Sequence, residues 1–141
     1  MDKGFIHRKY GKDAAYAVFQ AYIASTLAGD EKGRAQARDL IKDCQWPEGS
    51  EFKAIYEYLG GKLTREEALK MAEDSPGDNR VNLCWVYGSE AESTGKTDEA
   101  LEWYKRGLES VMNRRRYPGI FMKNRLAHFG QPWCEEGDGS P

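Results

Sequence analysis

Three loop glycines recur along the chain with spacings of 32 and 34 residues, and these are Gly29, Gly61 and Gly95. Between them, apolar residues follow the period of an α-helix, and no stretch alternates convincingly as a half-buried β-strand would. Small residues that open the second helix of each predicted pair repeat with spacings of 33 and 32, at Ala35, Ala68 and Ala100. This period indicates stacked helical hairpins, because one hairpin cannot bury its own apolar face.

The apolar pattern predicts seven helices joined by short loops, and therefore an all-α domain. Thr64 and Glu67 predict one helix start, since together they form a capping box. The last helix is predicted from about Gly119 to Phe129. We expect a single helical domain over residues 1–130 and a flexible acidic tail over residues 131–141, which are rich in Gly, Pro and acidic side chains.

The stretch 81–108 is the best-formed hairpin of the series. Its first helix carries the large and small pair Tyr87 and Gly88, and its second carries Ala100, Tyr104 and Gly107 at helical spacing. Small residues let two helices approach closely, and an aromatic ring fills the space beside them. The stretch resembles the tetratricopeptide repeat (TPR). Over residues 52–130 the chain is similar to the C-terminal half of bacterial TPR lipoproteins that act as adaptors for cell-envelope proteases and hydrolases.

The resemblance implies a TPR-like, right-handed superhelix of about three hairpins plus a capping helix, serving as a non-enzymatic adaptor or scaffold. In TPR proteins the first helix of each hairpin lines a concave groove that binds a partner peptide or protein. The residues that the resemblance assigns to this groove are Gln20, Lys53, Glu57, Asn82, Trp85, Ser89 and Glu92, with Arg116 and Lys123 added from the last part of the domain. Trp85 is either an exposed anchor in the groove or a core residue between repeats, and the charged residues would select the partner by complementarity.

The composition and charge of the chain argue against several other classes of function. The net charge of -2 gives no general attraction to nucleic acid or to an anionic membrane, and no apolar run approaches the length of a membrane span. The N-terminus is too polar for a secretory signal, and the three distant cysteines predict reduced thiols, so we expect a cytoplasmic protein. His7 and His128 are far apart, and no phosphate loop or nucleophile motif occurs. We therefore expect neither an enzyme nor a cofactor or metal.

Two other functions stay open at this stage. The basic run Arg114 to Arg116 could contact nucleic-acid phosphates, although cations are also favoured at the C-terminus of a helix. Alternatively, exposed ends of a stacked helical array could associate with further copies of the chain. The first function would make binding strongly salt-dependent, and the second would give a homo-oligomer.

Overall fold

The computed structural model describes residues 11–42, 52–74, 79–109 and 117–134. In these ranges the chain forms α-helices and no β-strand, which confirms the predicted all-α class. The helices are α1 (Gly11–Ala28), α2 (Glu31–Ile41), α3 (Lys53–Leu59), α4 (Arg65–Asp74), α5 (Asn79–Ser93), α6 (Thr97–Leu108) and α7 (Tyr117–His128).

Consecutive helices pair as the hairpins α1–α2, α3–α4 and α5–α6, and α7 packs on α6 and α5. The loop of each hairpin contains one of the three periodic glycines, Gly29, Gly61 or Gly95, with φ of 71°, 80° and 78°. Only glycine enters this left-handed region without steric cost, so a glycine is favoured where each first helix ends. The turn positions predicted from the sequence are confirmed.

The second helices α2 and α4 begin with side-chain caps. The Thr64 backbone N–H donates to Glu67 Oε1 at 2.9 Å, and the Glu67 N–H donates to Thr64 Oγ1 at 3.1 Å, as the capping-box prediction requires. These hydrogen bonds from Thr64 lower the pKa of Glu67. At the start of α2, Asp30 accepts from the Gly33 N–H at 2.9 Å. Each cap satisfies backbone donors that a helix start otherwise leaves open.

Helix α5 is the centre of the fold. It contacts α1, α3, α4, α6 and α7, and every residue from position 81 to position 89 is buried. Its sequence is apolar on nearly all sides, which is the pattern of a helix enclosed by its neighbours. By contrast, α6 buries one stripe, which consists of Ala100, Leu101, Tyr104, Gly107 and Leu108. The first helix of this hairpin is thus a core element, and the second is amphipathic.

Two glycines allow the helices around α5 to approach closely. A Cβ atom at Gly88 would overlap the Tyr104 ring of α6, and one at Gly107 would lie 2.7 Å from Met122 Sδ of α7. Both overlaps are closer than real Cβ contacts. The predicted arrangement, in which an aromatic ring fills the space over a small residue, is confirmed for Gly88 and Tyr104.

The apolar interior consists of two clusters. The first cluster contains residues of all five helices from α1 through α5. The second contains residues of α5, α6 and α7 around Tyr104 and Leu126. Cys84 is buried, and burial raises the pKa of its thiol to about 11. Trp133 packs against the second cluster although it follows the last helix. Within the described ranges, no helix combines the length and apolar character that a membrane-spanning segment needs.

Candidate functional site

Trp85, which the sequence offered as an exposed anchor, is a core residue with 1% of its surface exposed. Its ring packs against Phe19 of α1 at a centroid distance of 5.2 Å and against Phe121 of α7 at 5.3 Å. Helix α1 lies directly on α5 and covers the face that an open groove would present. The exposed alternative for Trp85 is therefore wrong.

Four other residues of the predicted groove are engaged inside the fold. Asn82 and Ser89 of α5 are 3% and 0% exposed. Lys53 and Glu57 of α3 form an ion pair of 3.5 Å, and their side chains are only 17% and 21% exposed. Asn82 and Ser89 are not available to select a partner, because their part of α5 is enclosed by the neighbouring helices. Lys53 and Glu57 pair with each other on α3.

Glu92 forms a tight interaction between the last three helices. Its carboxylate accepts from Arg125 Nε at 3.0 Å and from Arg125 Nη2 at 2.6 Å, which is the bidentate geometry of a strong pair. The Tyr104 hydroxyl donates to the same carboxylate at 3.2 Å. Contact with Glu92 raises the pKa of Arg125. Glu92 was predicted to contact a partner, and in the structure it holds α7 against α5 and α6.

Gln20, Lys123 and Arg116 complete the set of predicted groove residues. Gln20 on α1 and Lys123 on α7 are half-buried, on helices that pack on α5 through Phe19 and Phe121. Arg116, with the rest of the basic run 114–116, lies outside the described residues. The nucleic-acid function that this run suggested stays a prediction.

A different polar cluster lies where the three hairpins meet, and it is centred on Glu90 of α5. The Tyr22 hydroxyl of α1 donates to Glu90 Oε2 at 3.0 Å, and the Tyr58 hydroxyl of α3 donates to Glu90 Oε1 at 3.0 Å. Two guanidinium groups stand farther away, with Arg34 Nη2 at 3.9 Å and Arg65 Nη2 at 3.6 Å from the carboxylate. We refer to these five residues as the Glu90 cluster.

The arginines of the cluster come from the first turns of α2 and α4. Arg34 donates to Glu31 at 2.9 Å and to the Tyr22 hydroxyl at 3.3 Å. Its Nε is buried and has no hydrogen-bond partner among the described residues. Arg65 stacks over the Tyr87 ring with its Cζ 4.4 Å from the centroid, a favourable cation–π distance. The stacking holds the Arg65 guanidinium at the surface beside Glu90.

Burial and nearby charges shift the pKa values of Tyr58 and Arg65 in this cluster. Burial, reinforced by the nearby Glu90 carboxylate, raises the pKa of Tyr58 to about 12. Burial alone would lower the pKa of Arg65, but contacts with Tyr58 and Glu90 outweigh it and raise that pKa. At neutral pH the Tyr58 phenol is therefore a hydrogen-bond donor and Arg65 is a cation.

Two clefts flank the Glu90 cluster. The larger, of about 540 Å³, lies between α2 and the end of α3, with Arg38, Lys42 and Tyr58 among its lining residues. The smaller, of about 240 Å³, lies by the hairpin loops and is lined by Arg34, Arg65, Glu90, Ala91, Ser93, Thr94, Lys96 and Glu99. Clefts with a few convergent polar groups are where proteins usually receive ligands or partner side chains.

Sequence reasoning missed this site, although a signal was present. Glu90 is a charged residue that follows a long buried run in α5, and Arg34 and Arg65 each lie in the first turn of the second helix of a hairpin. The two arginines are 31 residues apart and fall at different positions of the period of 32 to 34 residues, so the repeat pattern does not group them.

Comparison with known proteins assigns neither a family nor a function to this site. No family model matches the chain, no curated protein matches it, and no solved structure matches it. Within the described residues, no group of three or more His, Cys, Asp or Glu side chains is arranged to hold a metal ion. The candidate site is therefore defined only by its geometry, in which the ionic and hydrogen-bonding groups of the Glu90 cluster lie beside two clefts.

Proposed function

We propose that the protein is a non-enzymatic protein-interaction module, an adaptor that binds a segment of a partner protein at the Glu90 cluster. The observation that carries this proposal is the convergence of three hairpins on one charged, aromatic-rich cluster with a cleft on each side. Arginine and tyrosine are the residue types that interfaces favour, because each combines a large contact area with directional hydrogen bonds.

We also propose that α5 and α6 form a TPR-like unit inside a fold that is more closed than an open superhelix. The packing of Tyr104 over Gly88 supports this reading, since it joins a large and a small residue at the positions that the repeat would use. Because α1 covers α5, a partner of such a closed array would bind at the loop ends of the hairpins, and the Glu90 cluster lies there.

Site-specific photo-crosslinking in the native host tests the location of the interaction. A photoreactive amino acid would replace Thr94, which is exposed and lines the smaller cleft. The matched control is Asn124 on α7, which is also exposed and lines neither cleft. We expect a discrete cross-linked partner from position 94, identified by mass spectrometry, and none from position 124.

Three results would contradict this proposal. Equal cross-linking from both positions would indicate non-specific contact, and cross-linking from position 124 alone would move the interface to α7. A product that contains only two copies of this chain would favour self-association, which is one of the alternatives that the sequence left open.

A further inference from the structure

The smaller cleft is lined by more cationic than anionic side chains. Three cationic side chains line it, Arg34, Arg65 and Lys96, together with two carboxylates, Glu90 and Glu99. At neutral pH these lining groups leave one positive charge in excess. Glu31 pairs with Arg34 at 2.9 Å, but it does not line the cleft and its side chain is 78% exposed, so solvent screens that pair. The cleft volume of about 240 Å³ is sufficient for a carboxylate side chain with accompanying water, but small for a drug-sized ligand.

The carboxylates of the cleft do not saturate its cations. Glu90 already accepts hydrogen bonds from two tyrosine hydroxyls, and its distances to Arg34 and Arg65 are 3.9 and 3.6 Å. Glu99 stands 3.6 Å from Arg65 Nη1 and is 42% exposed. Charge-assisted hydrogen bonds are shorter than these separations, at about 2.7–2.9 Å.

Two of the three cations therefore retain capacity to donate. The Arg34 Nε–H is buried without a hydrogen-bond partner among the described residues. The Arg65 guanidinium is held flat against Tyr87, with its charged edge toward Glu90 and Glu99. A guanidinium has five N–H donors in a planar fork that fits a carboxylate.

We propose that the cleft binds one carboxylate, that of an aspartate or glutamate side chain in the partner segment. The inference rests on the proposed function and specifies the chemistry of the partner. One carboxylate neutralises the excess positive charge. A phosphate monoester, with a charge of about -1.5 to -2, would instead leave the cleft negative and face Glu90 and Glu99.

NMR titration of the whole chain with short peptides tests this assignment. The probe is acetyl-Ala-Glu-Ala-amide, the matched control is acetyl-Ala-Gln-Ala-amide, and inorganic phosphate is the third arm at equal ionic strength. The Arg34 Nε–H resonance reports on a side chain that lines the cleft. We expect the glutamate peptide to shift it with a dissociation constant on the order of 1 mM, and the glutamine peptide to leave it unchanged.

Two exposed residues of the cleft should have opposite effects on the glutamate peptide. Lys96→Gln removes a cation and should weaken binding about threefold, whereas Glu99→Gln removes a competing anion and should strengthen it about threefold. Lys62→Gln is the control, because Lys62 is exposed in the α3–α4 loop and does not line the cleft. The amide spectrum of each variant verifies that the fold is retained.

The proposal is overturned if both peptides shift Arg34 equally, or if phosphate binds more tightly than the glutamate peptide. It is also overturned if the glutamate peptide causes no shift, or if Lys96→Gln and Glu99→Gln change its affinity in the same direction. Cross-linking at position 94 separates this outcome from failure of the proposed function. If a partner cross-links at position 94 but the glutamate and glutamine peptides bind equally, the proposed function stands and only the carboxylate assignment is overturned.

Discussion

Two carboxylates on the same turn of α5 have opposite surroundings. Glu92 forms a bidentate pair with Arg125 at 2.6 and 3.0 Å, in contact with Tyr104. Glu90 is held by two tyrosine hydroxyls, and its arginines remain at 3.6 and 3.9 Å beside open clefts. We call the region around Glu92, with Trp85 and Tyr104, the closed side of the molecule.

The difference shows how one helix serves two purposes. On the closed side, Arg125 and the Tyr104 hydroxyl donate to Glu92 at 2.6 to 3.2 Å, so these contacts stabilise the fold. In the Glu90 cluster Arg34 and Arg65 stand 3.9 and 3.6 Å from the carboxylate, farther than a charge-assisted hydrogen bond, which leaves capacity for binding. The comparison predicts that substitutions on the closed side reduce stability, while those in the cluster change binding more than stability.

The largest effect is expected for Trp85→Ala. The ring is buried between α1 and α7, so its loss should reduce the free energy of unfolding by about 3–5 kcal/mol. Urea denaturation followed by circular dichroism measures this loss. A variant that keeps wild-type stability and loses only partner capture would restore the groove that the sequence suggested.

Gly88→Ala should have the next largest effect. The added methyl group would overlap the Tyr104 ring and force it away from α5, at a cost of about 1–3 kcal/mol. The thermal midpoint of unfolding measures the loss. Gly107→Ala is a parallel case in which the flexible end of Met122 can move aside, so its loss should be smaller.

Glu92→Gln and Glu90→Gln test the comparison directly. We expect a loss of about 2 kcal/mol for Glu92→Gln, because Arg125 loses its bidentate partner in a partly buried place. Glu90→Gln should cost about 1 kcal/mol, since its ion pairs are long, and it should strengthen binding of the glutamate peptide. Equal losses in urea denaturation would remove the distinction between the two carboxylates.

Tyr58→Phe should have the smallest effect at neutral pH, about 0.5–1 kcal/mol for one hydrogen bond. Its pH dependence is more informative. The folded-state pKa of Tyr58 is raised to about 12 from an ordinary value of 10. Stability from this group is thus complete below pH 10 and is lost as the pH rises from 10 to 12, because the folded state retains a proton that the unfolded chain releases.

Denaturation of wild type and Tyr58→Phe at several pH values between 9 and 12 tests this sign. The difference in stability between the two proteins should shrink across the upper part of the range. A constant difference would mean that the Tyr58 hydroxyl titrates normally and is not enclosed by the cluster.

The local features of the fold were readable from the sequence. Gly95 ends α5, Thr64 and Glu67 cap α4, and Gly88 accepts the Tyr104 ring, each because a short-range steric or hydrogen-bonding requirement selects a particular residue type. Burial of Trp85 was not decided by such a rule. It depends on α1, whose contact with α5 joins residues far apart in the chain.

The candidate site was hidden for the same reason. Tyr22, Arg34, Tyr58 and Arg65 lie in four different helices and all approach Glu90 of a fifth. Their residue types are common on helix surfaces, and no spacing links them to one carboxylate. Only the packed structure shows which polar groups share a cleft.

The sequence by itself determined the all-helical class, the hairpin period, the turns and the close approach of α5 to α6. These follow from periodicity, from glycine conformation and from side-chain size, all of which act over a few residues. Tertiary structure alone decided that α1 closes over α5, that Glu92 stabilises α7, and that Glu90 is central to a polar cluster. Those outcomes depend on which helix faces meet. The burial of apolar surface and the pairing of charges across the whole chain decide which faces these are.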